Sequence, residues 1–331
     1  MSAGDARATP GFVSTGRLPA PETVAALVDE AFARFRGDTD GAVSSVYPTL
    51  ARAPADGFGL CVAGTNGAVH TAGDWDTPFT IMSVSKPFVF ALVCDRLGAD
   101  AAREAIGVNA TGLPFNALAA IERDAHGRTN PMVNPGAVAT TSLVPGARLD
   151  ERWAFLRDGL SRFAGHALAL DEEVLACALE SNARNRAIAQ LLHSYGRIAG
   201  DPAEALELYT RQCALTVTAK DLAVMGATLA DGGVNPLTRT RVVEPESGKR
   251  ALAVMATAGL YETSGDWLYD VGLPGKSGIA GGIVAVSPGK GALGAFAPRL
   301  DAAGNSVKGQ LAARFLSEGL GLSLFASSAE A

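Results

Sequence analysis

The period of apolar and polar positions changes twice along the chain. Gly59-Leu60-Cys61-Val62-Ala63 and Ala68-Val69-His70-Thr71-Ala72 are short β-compatible runs joined by Gly64-Thr65-Asn66-Gly67. Asn-Gly between such runs is the strongest short hairpin signal, because both residues tolerate the positive φ of a tight turn. Upstream, a polar arm gives way at Pro21-Glu22-Thr23 to a predicted helix that reaches about Arg36, where Gly37 ends it and acidic Asp38 and Asp40 follow. From 83 to 262 the spacing is mainly helical, with helices predicted over about 85–97, 151–164, 171–178, 183–195, 203–213, 219–231 and 249–259. Strand signals return at Gly282-Ile283-Val284-Ala285-Val286 and Ala292-Leu293-Gly294-Ala295-Phe296, around the turn Ser287-Pro288-Gly289-Lys290-Gly291. A last helix is expected from about Ser306 to Gly319.

Strands at both ends with helices between them predict an α+β fold. Its antiparallel sheet is drawn from the N- and C-terminal segments and flanked by helices, and an all-helical lobe is inserted between them. The expected division is a sheet lobe from 20–80 and 265–325, a helical lobe at 81–264, and flexible tails at 1–19 and 326–331. A cleft between the lobes is the natural place for a ligand. No internal repeat, low-complexity tract or long linker marks an appended domain.

Composition narrows the function. A chain of 331 residues, 48% hydrophobic and 19% charged, has enough apolar surface for a substantial core, which excludes disorder of the whole. The net charge of −6 and pI near 5.3, with no basic run, argue against nucleic acid or an anionic membrane as partner and favour a small molecule. Cys61, Cys94, Cys177 and Cys213 lie far apart and mostly in apolar stretches, which reads as free buried thiols in a reducing compartment. The N-terminal residues have no apolar h-region and no later stretch is long enough for a membrane span, so the cytoplasm is expected. His70, His126, His166 and His193 form no cluster and no His-Glu-x-x-His, so a zinc hydrolase has little support.

The densest chemical signal is Met82-Ser83-Val84-Ser85-Lys86-Pro87. Residues three apart in a helical turn are neighbours, so the Lys86 amine reaches the Ser83 hydroxyl if this turn is helical. Pro87 suits a first turn, and the apolar run from Phe88 to Cys94 suits a buried helix. A serine hydroxyl needs a base before it attacks, and a lysine kept neutral by burial is such a base. Further along, Arg128-Thr129-Asn130-Pro131-Met132-Val133-Asn134-Pro135-Gly136 reads as a rigid turn, or as a loop presenting the Asn134 amide to a polar ligand. Glu180, Ser181 and Asn182 suit a helix cap, whereas Asn185 lies inside a helical run and calls for a side-chain partner. Tyr209 and Tyr261 are two of only five tyrosines, and each reads as a core tyrosine; Tyr261, in a turn after a helix, also reads as a phenol that projects into a cleft and relays a proton. Gly275-Lys276-Ser277-Gly278-Ile279-Ala280-Gly281-Gly282 leads into a strand, with glycines that let backbone amides approach an oxyanion.

Ser-x-x-Lys followed later by Lys-Ser-Gly before a strand resembles the Ser-x-x-Lys and Lys-Thr-Gly pair of the β-lactamase and penicillin-binding-protein group. More specifically, the chain resembles the serine-dependent glutaminases, which share that β-lactamase/transpeptidase-like fold, from about residue 25 to 322. The stretches that carry the likeness are Met82 to Lys86, Asn130 to Ala137, Ala183 to Ala187, Met255 to Tyr261, Val271 to Gly278 and Leu300 to Ser306. The resemblance implies one catalytic unit over 1–331, with Ser83 as nucleophile, Lys86 as its base and Tyr261 in the proton relay. Asn134, Asn185, Tyr209 and Tyr261 would hold the substrate, and the amides of Ser83 and Ile279 would form an oxyanion hole, each donor worth about 3 kcal/mol. It implies hydrolysis of L-glutamine to L-glutamate and ammonia, no metal or organic cofactor, and a homodimer or homotetramer.

Two positions depart from the family's pattern. The family tyrosine of the early segment falls on Val46, with Tyr47 one place later, and a substrate-binding glutamate seven residues before Asn185 is replaced by Ala178. Loss of a carboxylate opposite the substrate ammonium costs about 1.5–3 kcal/mol, roughly ten- to a hundredfold in affinity. The alternative substrate is therefore another amide, an ester or a lactam attacked by the same serine. A catalytically dead binding protein is a third reading, opposed by the joint presence of Ser83, Lys86, Tyr261 and Lys276.

Overall fold

Five short strands pair into one antiparallel sheet in the spatial order Val69–Gly73, Gly59–Gly64, Gly291–Phe296, Gly282–Ser287, Gly275–Ser277. The sheet therefore joins an early hairpin to the end of the chain, as the α+β reading expected. The computed structural model describes residues 16–327; of the tails expected at 1–19 and 326–331, residues 1–15 and 328–331 lie outside the described residues.

The strands read as continuous apolar runs because both faces of the sheet are covered. On one face Leu60, Val62, Ile283, Ala285, Leu293 and Ala295 pack with Val24, Val28 and Ala31 of the helix Pro21–Phe35 and with Ala312, Ala313 and Leu316 of the helix Val307–Gly319. The alternate residues Cys61, Ala63, Val284, Val286, Ala292 and Phe296 join a larger core with the helices Lys86–Leu97 and Ala219–Ala230. Small residues set how near Ala219–Ala230 lies to the sheet. A Cβ on Gly226 would stand 2.6 Å from the Ala292 Cβ, and one on Gly294 only 2.1 Å from the Ala219 carbonyl oxygen. The helix begins with a reciprocal cap between Thr218 and Asp221 that satisfies two end donors.

The other expected helices are Leu149–Ala164, Glu172–Ser181, Ala183–Ser194, Pro202–Cys213 and Pro245–Ala258. Helices at Ala99–Ile106, Ala119–Glu122, Asn134–Ser142 and Ser264–Asp270 were not expected. At Asn134 the sequence reads as a turn; the turn comes earlier, where the Asn130 Oδ1 accepts from the Met132 N–H at 3.0 Å. Pro135 then occupies the first helical turn, which needs no donor there. Gly136 lets this helix press on the preceding chain, since a Cβ there would lie 1.9 Å from the Asn130 carbonyl oxygen. No helix among the described residues is long and apolar enough to cross a membrane.

Because Gly294 has no room for a methyl, Gly294→Ala is expected to lower the unfolding free energy by about 1–3 kcal/mol. The measurement is the urea midpoint at unchanged slope. A midpoint equal to the parent's would show that helix and sheet are not held at this distance.

Candidate active site

The short pair Phe79–Thr80 with Thr216–Val217 delivers the chain to the site, and the Ile81 N–H donates to the Leu215 carbonyl at 2.8 Å. Met82 then adopts φ +46, a left-handed conformation that costs a non-glycine residue about 1–3 kcal/mol. Met82–Ser85 is a 3₁₀ turn that runs into the helix Lys86–Leu97. In a 3₁₀ turn residues three apart eclipse, so Ser83 and Lys86 stand on one face. Every residue from Lys86 to Cys94 is buried, which anchors the turn in the core.

Lys86 is 1% exposed and, among the described residues, has no acidic partner. Its Nζ donates to the Asn134 Oδ1 at 2.8 Å and to the Met132 carbonyl at 3.4 Å. Burial pushes its pKa down to about 7, slightly opposed by Cys213. Asn134 is the hub of a directed network. Its Oδ1 also accepts from the Tyr209 hydroxyl at 3.1 Å, and its Nδ2 donates to the Asn185 Oδ1 at 2.9 Å. The Asn185 Nδ2 donates to the Asn182 Oδ1 at 2.7 Å, and the Asn182 Nδ2 to the Thr210 Oγ1 at 3.0 Å.

Tyr261 also carries a left-handed backbone, φ +58, at the start of a 3₁₀ turn. Its phenol lies by the Ser83 hydroxyl and the Ser277 carbonyl, and burial pushes its pKa up to about 12. The ring packs on Phe115 with centroids 5.0 Å apart, and the Lys276 Nζ stands 4.0 Å from its centre. Lys276, fully buried, donates to the Gly259 and Ser277 carbonyls at 2.7 and 2.8 Å. Burial first, and Lys86 second, hold its pKa well below the ordinary lysine value.

The Lys276-Ser277-Gly278 segment lies directly on the serine turn. A Cβ on Gly278 would be 3.4 Å from the Ser83 nitrogen and 3.1 Å from the Ile81 carbonyl oxygen. Neither the Ser83 nor the Ile279 N–H has an acceptor among the described residues. The Ser277 Oγ donates to the Asn305 Oδ1 at 2.5 Å, and the Asn305 Nδ2 to the Thr263 Oγ1 at 3.0 Å, which pins this segment to the Tyr261 turn.

In front of Ser83 is a cavity of about 140 Å³ whose wall includes Ser83, Asn134, Asn185, Tyr209 and Ile279. Lys86 and Tyr261 do not line it. Val46 and Tyr47 both reach its wall, and burial, with Cys213 and Cys177 nearby, pushes the Tyr47 pKa up to about 12. Ala178 lines it at 3% exposure, whereas Glu180 opens on a separate depression beside Arg52 and Glu173. Among the described residues, no Asp or Glu lines the cavity. Sequence reasoning missed Phe115 and Thr210, and read Asn182 only as a cap. Asn182 and Asn185 are three apart on one helical face, a spacing that would have suggested their pairing.

The chain is also similar to known proteins over most of its length. The family model described as Glutaminase matches residues 41–325. The chain is 68% identical over 316 residues to "Glutaminase 2" of Yersinia pestis, covering 96% of this chain and 93% of that protein. It is 45% identical to a glutaminase of Colwellia psychrerythraea, covering 93% and 99% of the two chains. Among solved structures, the probable glutaminase ybaS superposes with TM-score 0.91 at 41% identity, over 92% of this chain and 99% of that one. Mglu in its glutamate form superposes with TM-score 0.87 at 37% identity, over 95% and 71%.

Lys86 has a consequence for stability. In the unfolded chain it holds its proton to about pH 10.5, in the folded chain only below about pH 7. Between those values the unfolded state binds the additional proton, so stability rises with pH. Lys86→Met is expected to rise less steeply across this window, by the slope of about one proton. Urea unfolding at several pH values checks it, and parallel curves for parent and variant would contradict a depressed Lys86.

Proposed function

Because the chain belongs to the glutaminase family and is therefore an amidohydrolase, we propose that it hydrolyses L-glutamine to L-glutamate and ammonia through an ester on Ser83. The observation that carries this reading is the buried Lys86 amine, three residues from Ser83 on one face and without a counter-charge among the described residues. A neutral amine has two N–H groups and one lone pair. The Asn134 oxygen and the Met132 carbonyl accept its N–H groups, which leaves the lone pair for the Ser83 proton. The Ser83 Oγ then attacks the side-chain amide carbon. Negative charge developing on the amide oxygen is met by the N–H groups of Ser83 and Ile279, which no protein acceptor among the described residues uses.

Tyr261, beside Ser83 and with a phenol held protonated by burial, passes a proton to the departing nitrogen. The proton that Lys86 took from Ser83 passes to the Tyr261 phenolate as the C–N bond breaks and ammonia leaves; water then attacks the ester carbonyl, and Lys86, neutral again, takes its proton and returns it to the Ser83 oxygen as the ester C–O bond breaks. Glutamate departs and Ser83 is restored. Asn134, Asn185 and Tyr209 hold the part of the substrate beyond the amide. In this reading the chain is one catalytic unit of β-lactamase-like fold, with segments 20–80 and 265–325 meeting the helical segment 81–264 at Ser83. It works in the cytoplasm as a homodimer or homotetramer on a small molecule, without nucleic acid, membrane, metal or organic cofactor.

Ser83→Ala is expected to reduce ammonia release from glutamine by about 10³-fold or more with the far-UV spectrum unchanged, and a variant with substantial activity would remove Ser83 as nucleophile. Tyr261→Phe keeps the ring against Phe115 and Lys276 and loses only the hydroxyl. Its kcat should fall about 10²–10⁴-fold with little change in KM. An unchanged kcat would take Tyr261 out of the relay.

A further inference from the structure

Among the described residues, the wall of the cavity before Ser83 carries a guanidinium and several amide N–H groups and no carboxylate. Both lone pairs of the Asn134 Oδ1 are taken, one by Lys86 and one by Tyr209. The Asn185 Oδ1 accepts from Asn134 and the Asn182 Oδ1 from Asn185. Each of these three amides keeps a second N–H that no protein group among the described residues accepts. Among the described residues, the one charged side chain of the wall is Arg184, whose Nε donates to the Asn116 carbonyl at 2.9 Å and whose terminal nitrogens meet no acceptor. Ala178 sits on the same wall and contributes only a methyl group.

Such a wall suits a carboxylate better than an ammonium. An anion gains charge-assisted hydrogen bonds from Arg184 and the amide N–H groups. A cation brought to the same place loses water and, among the described residues, meets no carboxylate on the wall. We propose that recognition in this cavity is carried by the substrate's carboxylate, so that the enzyme hydrolyses ω-amides of dicarboxylic acids whether or not they bear an α-ammonium group. Glutaramate, which is glutamine without its α-amino group, is then at least as good a substrate as glutamine. The inference rests on the Ser83 ester reading and concerns only which end of the substrate the cavity reads. The reaction balances as before: the amide C–N bond breaks, an ester to Ser83 forms and is hydrolysed, and ammonia and a dicarboxylate leave.

The test is ammonia release by the intact enzyme from three amides: glutamine, glutaramate, and 4-aminobutanamide, which keeps the ammonium and lacks the carboxylate. Glutaramate should match glutamine in kcat/KM within about threefold or exceed it, and 4-aminobutanamide should fall about a hundredfold or more below both. Ala178→Asp, which places a carboxylate on the wall, should raise glutamine over glutaramate by about ten- to a hundredfold. If that variant does not fold, the parent's ranking of the three amides still decides. Glutamine preferred over glutaramate by tenfold or more in the parent, or 4-aminobutanamide above glutaramate, overturns the inference and leaves the ester reading standing. Ammonia from none of the three sinks the ester reading itself.

Discussion

The hydrogen bond from the Lys86 Nζ to the Asn134 Oδ1, 2.8 Å long and closed off from solvent, holds the site together. It ties the serine turn to the helix Asn134–Ser142, and through Asn185 and Tyr209 to the helices Ala183–Ser194 and Pro202–Cys213. A charged lysine in this place would carry a desolvation cost of several kcal/mol with no ion partner to offset it. The low-energy answer is a neutral amine, and a neutral amine is a base. Structural economy and chemical reactivity therefore have one cause, the removal of water from Lys86. The strained backbones of Met82 and Tyr261 are held in the same dry surroundings, with the large apolar core behind them to offset their cost.

Direction matters in the network as much as its presence. Hydrogen bonds run one way, from Lys86 to Asn134, then Asn185, Asn182 and Thr210. Each amide oxygen accepts from the donor before it, and each amide keeps a second N–H. In the proposed mechanism the base for Ser83 and the amides of the cavity wall thus belong to one chain of hydrogen bonds. Lys276 plays a quieter part, filling the space against the Tyr261 ring and fastened to two carbonyls.

Much of this was legible in the sequence where local rules suffice. The Asn66-Gly67 hairpin, the late strands, most helices and the common face of Ser83 and Lys86 follow from turn chemistry and periodicity. Legibility failed where a neighbour far along the chain decides. Asn134-Pro135-Gly136 satisfies turn rules equally well, and only the close approach that Gly136 permits to Asn130 turns it into a buried helix. Thr210 is unremarked in sequence until the Asn182 amide reaches it from 28 residues away. Glu180 is instructive in the other direction. Two residues on from Ala178 is about 200° around a helix, so it turns away, while Val174, Ala178 and Ser181 share the cavity face.

What joins these pieces is the neutral Lys86, and the most direct measurement is the rate at which a fluorophosphonate esterifies Ser83, followed by mass spectrometry as a function of pH. The rate should rise through an apparent pKa of about 7, that of Lys86, and lose this dependence in Lys86→Met. A rate flat across neutral pH, or one that rises only near the ordinary lysine value of 10.5, would contradict the account.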